Sequence, residues 1–376
     1  MIRKRTAGIG VASLILLHSA RAQSVPARGL EQELRIDGVE QKWSRVLAVH
    51  VMPMGNIIVR HDGDYALTAF SPSGAVIRQF GKKGLGDGEL DRPFNSGTIG
   101  DSIWVTDFTG NRMILYGADG SFVRTVIRQP AGDLLTKRKD VAYLGTELYP
   151  WRLLPGNVAI GVPPFSVQAI AAGLLATLPN FRMTWSGVAQ GVIVETSVRG
   201  GSMIVGSSTV MQQPFTGNSE LLMSPDASRL AVVDTMEGGK PALRLTYLSI
   251  NGDTLRTAAI PVVLQPVTPH MVDSVVSRVS AGAKGSLTEF QVRSAVTVPK
   301  TMWPAKHSFI ENDGTVWLQL NSLDNDNRWV IVSPAGQVIE TLRVPLSTDL
   351  RFVDHGIWAT VRDAHDIPSV VRFRRR

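Results

Sequence analysis

The chain has seven histidines and no cysteine. Thiolate catalysis and Cys-ligated zinc are therefore closed to it, and only His, Asp and Glu could bind a metal. His18 sits near the N-terminus. His50, His61, His270, His307, His355 and His365 are widely spaced, with no His-Glu-x-x-His among them. No Gly-x-Ser-x-Gly elbow presents a serine nucleophile. Gly84-x-Gly86-x-Gly88 lacks the Gly-Lys-Ser/Thr end and the strand–loop–helix setting of a phosphate loop. What remains is a set of charged and polar side chains that follow short β-rich runs. They are Arg60, His61, Asp62, Thr106, Asp107 and Arg112, with Asp234 further along. Such groups can hold a ligand by charge-assisted hydrogen bonds, or they can brace the turns beside them. No catalytic residue and no metal ligand is assigned from spacing.

The elements that position these residues repeat. Gly55 to Val59, then Leu67 to Arg78, matches Asp101 to Val105, then Met113 to Arg124. Val59 to Val105, Phe70 to Tyr116, Gly74 to Gly120 and Arg78 to Arg124 are each 46 residues apart, with no gap. Each copy has a turn residue, a short β-branched or aromatic run and a polar connector. A second run then ends on an aromatic, and a tight turn leads into a third strand. Ser71-Pro72-Ser73-Gly74 and Gly117-Ala118-Asp119-Gly120 are the turns, where glycine can take positive φ. A strand repeat of this period means blades arranged around an axis. No alternation of strands with helices supports a parallel α/β sheet.

Weaker copies fill the rest. A third unit starts at Gly156-Asn157-Val158 and is closed by Gly191–Val194 and Ser202–Val205. The fourth runs from Ser224 to Asp253, the fifth from Asn312 to Gly336, and the sixth from Gly356 to Phe373. The sixth stops short, while Leu34-Arg35-Ile36-Asp37 is a spare strand at the other end. Pairing it into the last blade would close the ring and remove an exposed edge. The expected fold is all-β: a six-bladed β-propeller closed by an N-terminal strand. Blades are expected near 44–80, 96–127, 150–206, 217–260, 305–343, and 346–373 plus 30–37, in one domain over 23–376.

Two stretches leave the repeat. Val167 to Leu178 is apolar and too short to span a bilayer, and Pro179 is expected to end it. Residues 268–299 read as a short helical insertion. Thr268 caps it and Pro269 suits the first position. Val272, Val275, Val276 and Val279 share one helix face, and Gly282 and Gly285 end it. That insertion should fold over one face or the rim.

Residues 1–22 read as a signal peptide: Arg3, Lys4 and Arg5, an apolar run from Ile9 to Leu17, then Ala20-Arg21-Ala22. A periplasmic or secreted bacterial location follows. The formal charge is +7, of which the leader supplies four, leaving about +3. This balance does not argue for nucleic acid. The C-terminal Arg372 and Arg374–Arg376 are expected to be a solvated tail. Trp104, Trp317, Trp329 and Trp358 fall in strands and should fill the space between blades.

The chain resembles the NHL-type repeat and the broader bacterial six-bladed β-propeller family. The likeness rests on Phe70–Gly74, Arg78–Gly81 and Gly84–Leu90; on Ile103–Asp107 with Asn111-Arg112-Met113; and on Asp313–Trp317. It is close over the first two units and loose beyond them. It implies the fold, but propellers host binding modules and enzymes alike. Relatives among the lyases and lactonases use a channel-bound calcium or zinc held by several blades. At the matching places units three and four offer only Asp234 as a ligand. In NHL-like repeats the Asp and Asn-x-Arg pieces mostly brace turns. The expectation is thus a non-enzymatic, monomeric binding scaffold for a protein, peptide or glycan, without a cofactor. Arg60, His61, Asp62, Asp107, Arg112 and Asp234 are its candidate ligand-binding residues. A metal-assisted lyase or lactonase-like hydrolase, with calcium or zinc, is the alternative.

Overall fold

The computed structural model describes residues 29–376, except 62–64, 137–146, 164–175, 201, 206–208, 237, 284–285 and 323–325. Its described residues form six four-stranded antiparallel sheets. Blade 1 comprises Val46–Val51, Ile57–His61, Leu67–Phe70 and Val76–Phe80; blade 2 comprises Pro93–Ile99, Ser102–Asp107, Arg112–Gly117 and Phe122–Ile127. Blade 3 is Tyr149–Leu154, Val158–Val162, Thr177–Thr184 and Ala189–Ser197; blade 4 is Glu220–Met223, Leu230–Thr235, Ala242–Leu248 and Thr254–Pro261. Blade 5 is Ala305–Ile310, Val316–Leu320, Asp326–Val332 and Val338–Pro345. Blade 6 takes Thr348–Val353, Ile357–Arg362 and Pro368–Arg375 from the C-terminus, and Leu30–Ile36 from the N-terminus. The protein is a six-bladed β-propeller, closed by its first described strand. Leu30 lies opposite Arg375 and Ile36 opposite Val370.

The core lies between blades. Trp104, Trp317, Trp329 and Trp358 are all fully buried, so they pack sheet against sheet and offer no platform to a ligand. Outer strands are the exposed ones, as in Val76–Gln79.

The repeated turn glycines mark where blades meet. Gly74 and Gly120 have φ of +86° and +78°. A Cβ on Gly74 would point at Leu34, in the outer strand of blade 6. One on Gly120 would sit 2.5 Å from the Phe80 ring, in the outer strand of blade 1. Gly336 faces Ala258 of blade 4 in the same way. The glycine thus serves both the turn and the seating of its blade on the outer strand before it. Gly120→Val should cost roughly 1–3 kcal/mol, or more if Phe80 cannot move. A chemical-denaturation midpoint unchanged from the parent would contradict this.

Several expectations need correction. Ser202–Val205 does not close blade 3; it pairs with Thr209–Gln212 in a separate hairpin. Pro179 does not end an apolar element. It lies inside Thr177–Thr184, opposite Glu195. The neighbouring strand reaches only residues 181–184 there, so no ladder bond is lost to the missing N–H. The remainder of the apolar run, to residue 175, falls outside the described residues. The C-terminal arginines are not a free tail. Arg372 meets Glu33 at 3.2 Å and Arg374 meets Glu31 at 3.0 Å, across the closing strand.

The insertion contains two helices. Helix α1 is Pro269–Gly282, with Thr268 accepting from the Met271 amide. Helix α2 is Glu289–Ala295, opened by a capping box between Thr288 and Gln291. Val272 and Val276 of α1 bury against Val292 of α2 and against Met203 and Val205 of the hairpin. The two insertions therefore fold together as one small cap with a core of its own. Gln213 ties them further, donating to the Ala295 carbonyl at 2.9 Å and accepting from the Thr297 amide.

Candidate functional site

The residues singled out by sequence are not gathered into one site, although Asp107 and Arg112 meet each other. They lie at the ends of second strands, or just beyond in the third, because the true inner strands are Val46–Val51, Pro93–Ile99 and their counterparts. The Arg60 guanidinium donates to the Phe94 carbonyl at 3.1 Å, and burial pulls its pKa down. The His61 ring lies 5.7 Å from Trp43. Asp62 falls outside the described residues. Asp107 is fully buried and accepts from the Asp91, Arg92 and Thr109 amides. Arg112 pairs with Asp107 at 3.1 Å and donates to the carbonyls of Gly84, Leu85 and Glu89. Together they pin the connector between blades 1 and 2.

Asp234 lies opposite Arg244 as Asp107 lies opposite Arg112. Its carboxylate meets Arg244 at 2.8 Å and Arg199 at 3.5 Å. Arg112→Lys keeps the charge but cannot reach several carbonyls with a rigid fork. It should cost about 1–2 kcal/mol, seen as a lower melting temperature. An equally stable lysine variant would show that the carbonyl contacts contribute little.

The central channel holds a cavity of 540 Å³ lined by all six blades, with Met52, Thr98, Arg152, Asp226, Asn312 and Asp354 each from a different one. Most of its charges are engaged. Arg152 crosses from blade 3 to the Ser224 and Pro225 carbonyls of blade 4. Asp226 accepts from Ser224 and Ser228, and Arg351 meets Asp349 at 3.0 Å. Burial first, then Arg152 and Arg60, push His50 down to about 3, so its ring is neutral. Among the described residues no three of His, Asp and Glu form a group that could hold a metal. They do not fit the channel metal that the resemblance implies for its lyase and lactonase members.

A larger cavity, 720 Å³, opens where the inner strands of blades 4 and 5 begin, beneath the cap. Blade 4 contributes Ser219 and Glu220, and blade 5 contributes Lys306 and Ser308. The cap contributes Met203, Met211, Val275, Arg278 and Val279. Trp303 forms a further wall. Its amide donates to the Phe215 carbonyl at 2.7 Å, and its carbonyl accepts from Asn321 at 2.6 Å. Gly217 makes room for the ring, because a Cβ there would run into it.

The electrostatics single this cavity out. Burial pushes the Glu220 carboxyl up to about 7, with the neighbouring Ser308 hydroxyl pulling the other way. Glu220, Arg278 and Lys306 make no ion pair among the described residues. The Ser219 hydroxyl is buried without a hydrogen-bond partner. None of these residues carries a local sequence signal.

No family model matches the chain, and no curated protein matches it. Solved structures do. A member of the DUF4221 family from Bacteroides vulgatus is 9% identical, with a TM-score of 0.50, covering 93% of this chain and 99% of its own. A predicted exported protein of Bacteroides fragilis is 11% identical, with a TM-score of 0.44, covering 93% and 96%. Virginiamycin B lyase from Staphylococcus aureus is 10% identical, with a TM-score of 0.38, covering 92% and 99%. At such identity the likeness speaks for the fold alone, and the first of the three carries it.

Proposed function

We propose that this chain is an exported, non-enzymatic propeller of the NHL-like kind, whose ligand sits under the cap between blades 4 and 5. One observation carries the reading: three unpaired charges line a single cavity of 720 Å³ that a dedicated insertion roofs. Desolvation of the Glu220 carboxylate is costly, and a complementary cationic group would relieve it. Binding pockets commonly measure about 300–1,000 Å³ with apolar walls and a few convergent polar groups. The signal-like residues 1–22 support export. A cavity of this size admits a short peptide or glycan, or a side-chain loop of a protein.

A second reading uses the same site. A carboxyl titrating near neutrality suits general acid–base chemistry, so Glu220 could act on what it binds. One experiment separates the readings: incubation with peptide and oligosaccharide libraries, followed by mass spectrometry of what is retained. The binding reading expects ligands recovered intact, and their loss in Val275→Trp, which fills the cavity from the cap. Retention undiminished in that variant would overturn the site. Cleaved or rearranged products, lost in Glu220→Gln, would favour catalysis.

A further inference from the structure

We infer that the capped cavity takes a short peptide with a free N-terminus, its ammonium held at Glu220 and its anionic end turned toward Arg278 and Lys306. The inference rests on the binding reading above and names its ligand class. Its basis is the sign and placement of the unpaired groups. The one carboxyl is half-buried and belongs to the propeller, beside the partnerless Ser219 hydroxyl. The two cations are exposed: Lys306 begins blade 5, and Arg278 reaches in from α1. A ligand that satisfies all three must carry a positive group that enters deeply and a negative group that stays near solvent. A neutral sugar supplies neither. A phosphate or a simple carboxylate supplies only the second.

The remaining walls fit the body of a peptide. Met203 and Met211 are unbranched and polarizable, so they accommodate side chains of differing shape. Val275 and Val279 extend that apolar surface along the cap. The Trp303 indole gives the ammonium an aromatic face in addition to the carboxylate. Recognition would thus fix both charged ends and tolerate varied apolar side chains between them.

Calorimetric titration of the full chain tests this with three probes: leucyl-alanine, its N-acetyl derivative and its C-terminal amide. In the parent protein, acetylation should weaken binding about tenfold or more, because it removes a charge-assisted contact. In Glu220→Gln the free and acetylated probes should bind within about twofold of each other. Amidation should weaken binding about fivefold in the parent and have no effect in the Arg278→Gln/Lys306→Gln double variant. Both of those positions are exposed, so that variant keeps its fold even if Glu220→Gln does not. Equal affinity for free and acetylated probe in the parent would overturn the inference, as would equal loss on amidation in parent and double variant. If no peptide probe binds but maltotriose does, and Val275→Trp excludes it, the peptide inference falls while the binding reading stands. If the parent retains none of the peptide or oligosaccharide probes, both fall.

Discussion

A chain lacking residues 29–37 should lose its cooperative fold at room temperature, or aggregate. The strand Leu30–Ile36 pairs with Pro368–Arg375 on both sides of a bulge at Glu33, at about 1 kcal/mol net per hydrogen bond. Leu30 and Ile36 are almost fully buried, each worth about 2 kcal/mol. That combined loss approaches the whole margin of about 5–15 kcal/mol by which domains are stable. Deletion also leaves an open edge on the last blade and takes two acidic partners from its arginines. Glu31→Gln with Glu33→Gln separates the two effects. It removes only surface ion pairs, worth well under 1 kcal/mol each, so its melting curve should stay close to the parent's. A synthetic peptide of residues 29–38 should restore part of the transition to the truncated chain. If the truncated chain melts within about 2 °C of the parent, less than ~1 kcal/mol has been lost, and the ring is held by something other than this strand.

How far the sequence reveals this molecule depends on where its information is local. Ser71–Gly74 and Gly117–Gly120 are tight turns that declare themselves, and their common spacing exposes the blades. The leading β-rich segment and the truncated last unit together imply closure. The inner strands were hard to place because they read poorly. Pro93–Ile99 contains Pro, Asn, Ser and Gly, and its strand character comes from pairing with Ser102–Asp107 beside it rather than from propensity. Helix α1 was legible from Thr268-Pro269 and its valine face. Helix α2 had a readable Thr288-x-x-Gln291 box that the valine stripe overshadowed. The candidate cavity was not legible. Met203, Glu220, Arg278, Trp303 and Lys306 are spread over about a hundred residues and sit in no motif. What gives Glu220 its chemistry is burial, and burial follows from how two insertions fold together over the junction of two blades.

Glu220→Gln should make the protein more stable above neutral pH and leave it unchanged in acid. The folded carboxyl is raised to about 7 from its ordinary 4.5. Between those values the folded state keeps a proton that the unfolded chain has released. Stability from this group is therefore full below about pH 4.5 and is lost as pH rises through about 7. The lost amount is about 3 kcal/mol at most, at 1.36 kcal/mol per pH unit. Glutamine mimics the protonated acid, so the variant should gain about 2–3 kcal/mol near pH 8.5 and show no difference near pH 4.5. Denaturant melts at the two pH values measure this directly. A parallel pH dependence in parent and variant would show that the carboxyl is solvated rather than buried.

The same linkage bears on binding. An ammonium ligand would draw Glu220 back toward its ordinary value, so uptake of the ligand should release a proton near pH 6; near pH 8.5 the carboxyl is already ionised and the peptide amine, of ordinary pKa about 8, should instead take one up. The heat of binding measured in buffers of different ionisation enthalpy would then depend on the buffer with opposite sign at pH 6 and at pH 8.5. A neutral ligand would release no proton at either pH. Through its carboxylate, the group that costs the empty protein stability in mild alkali is the one that would hold a cationic ligand there.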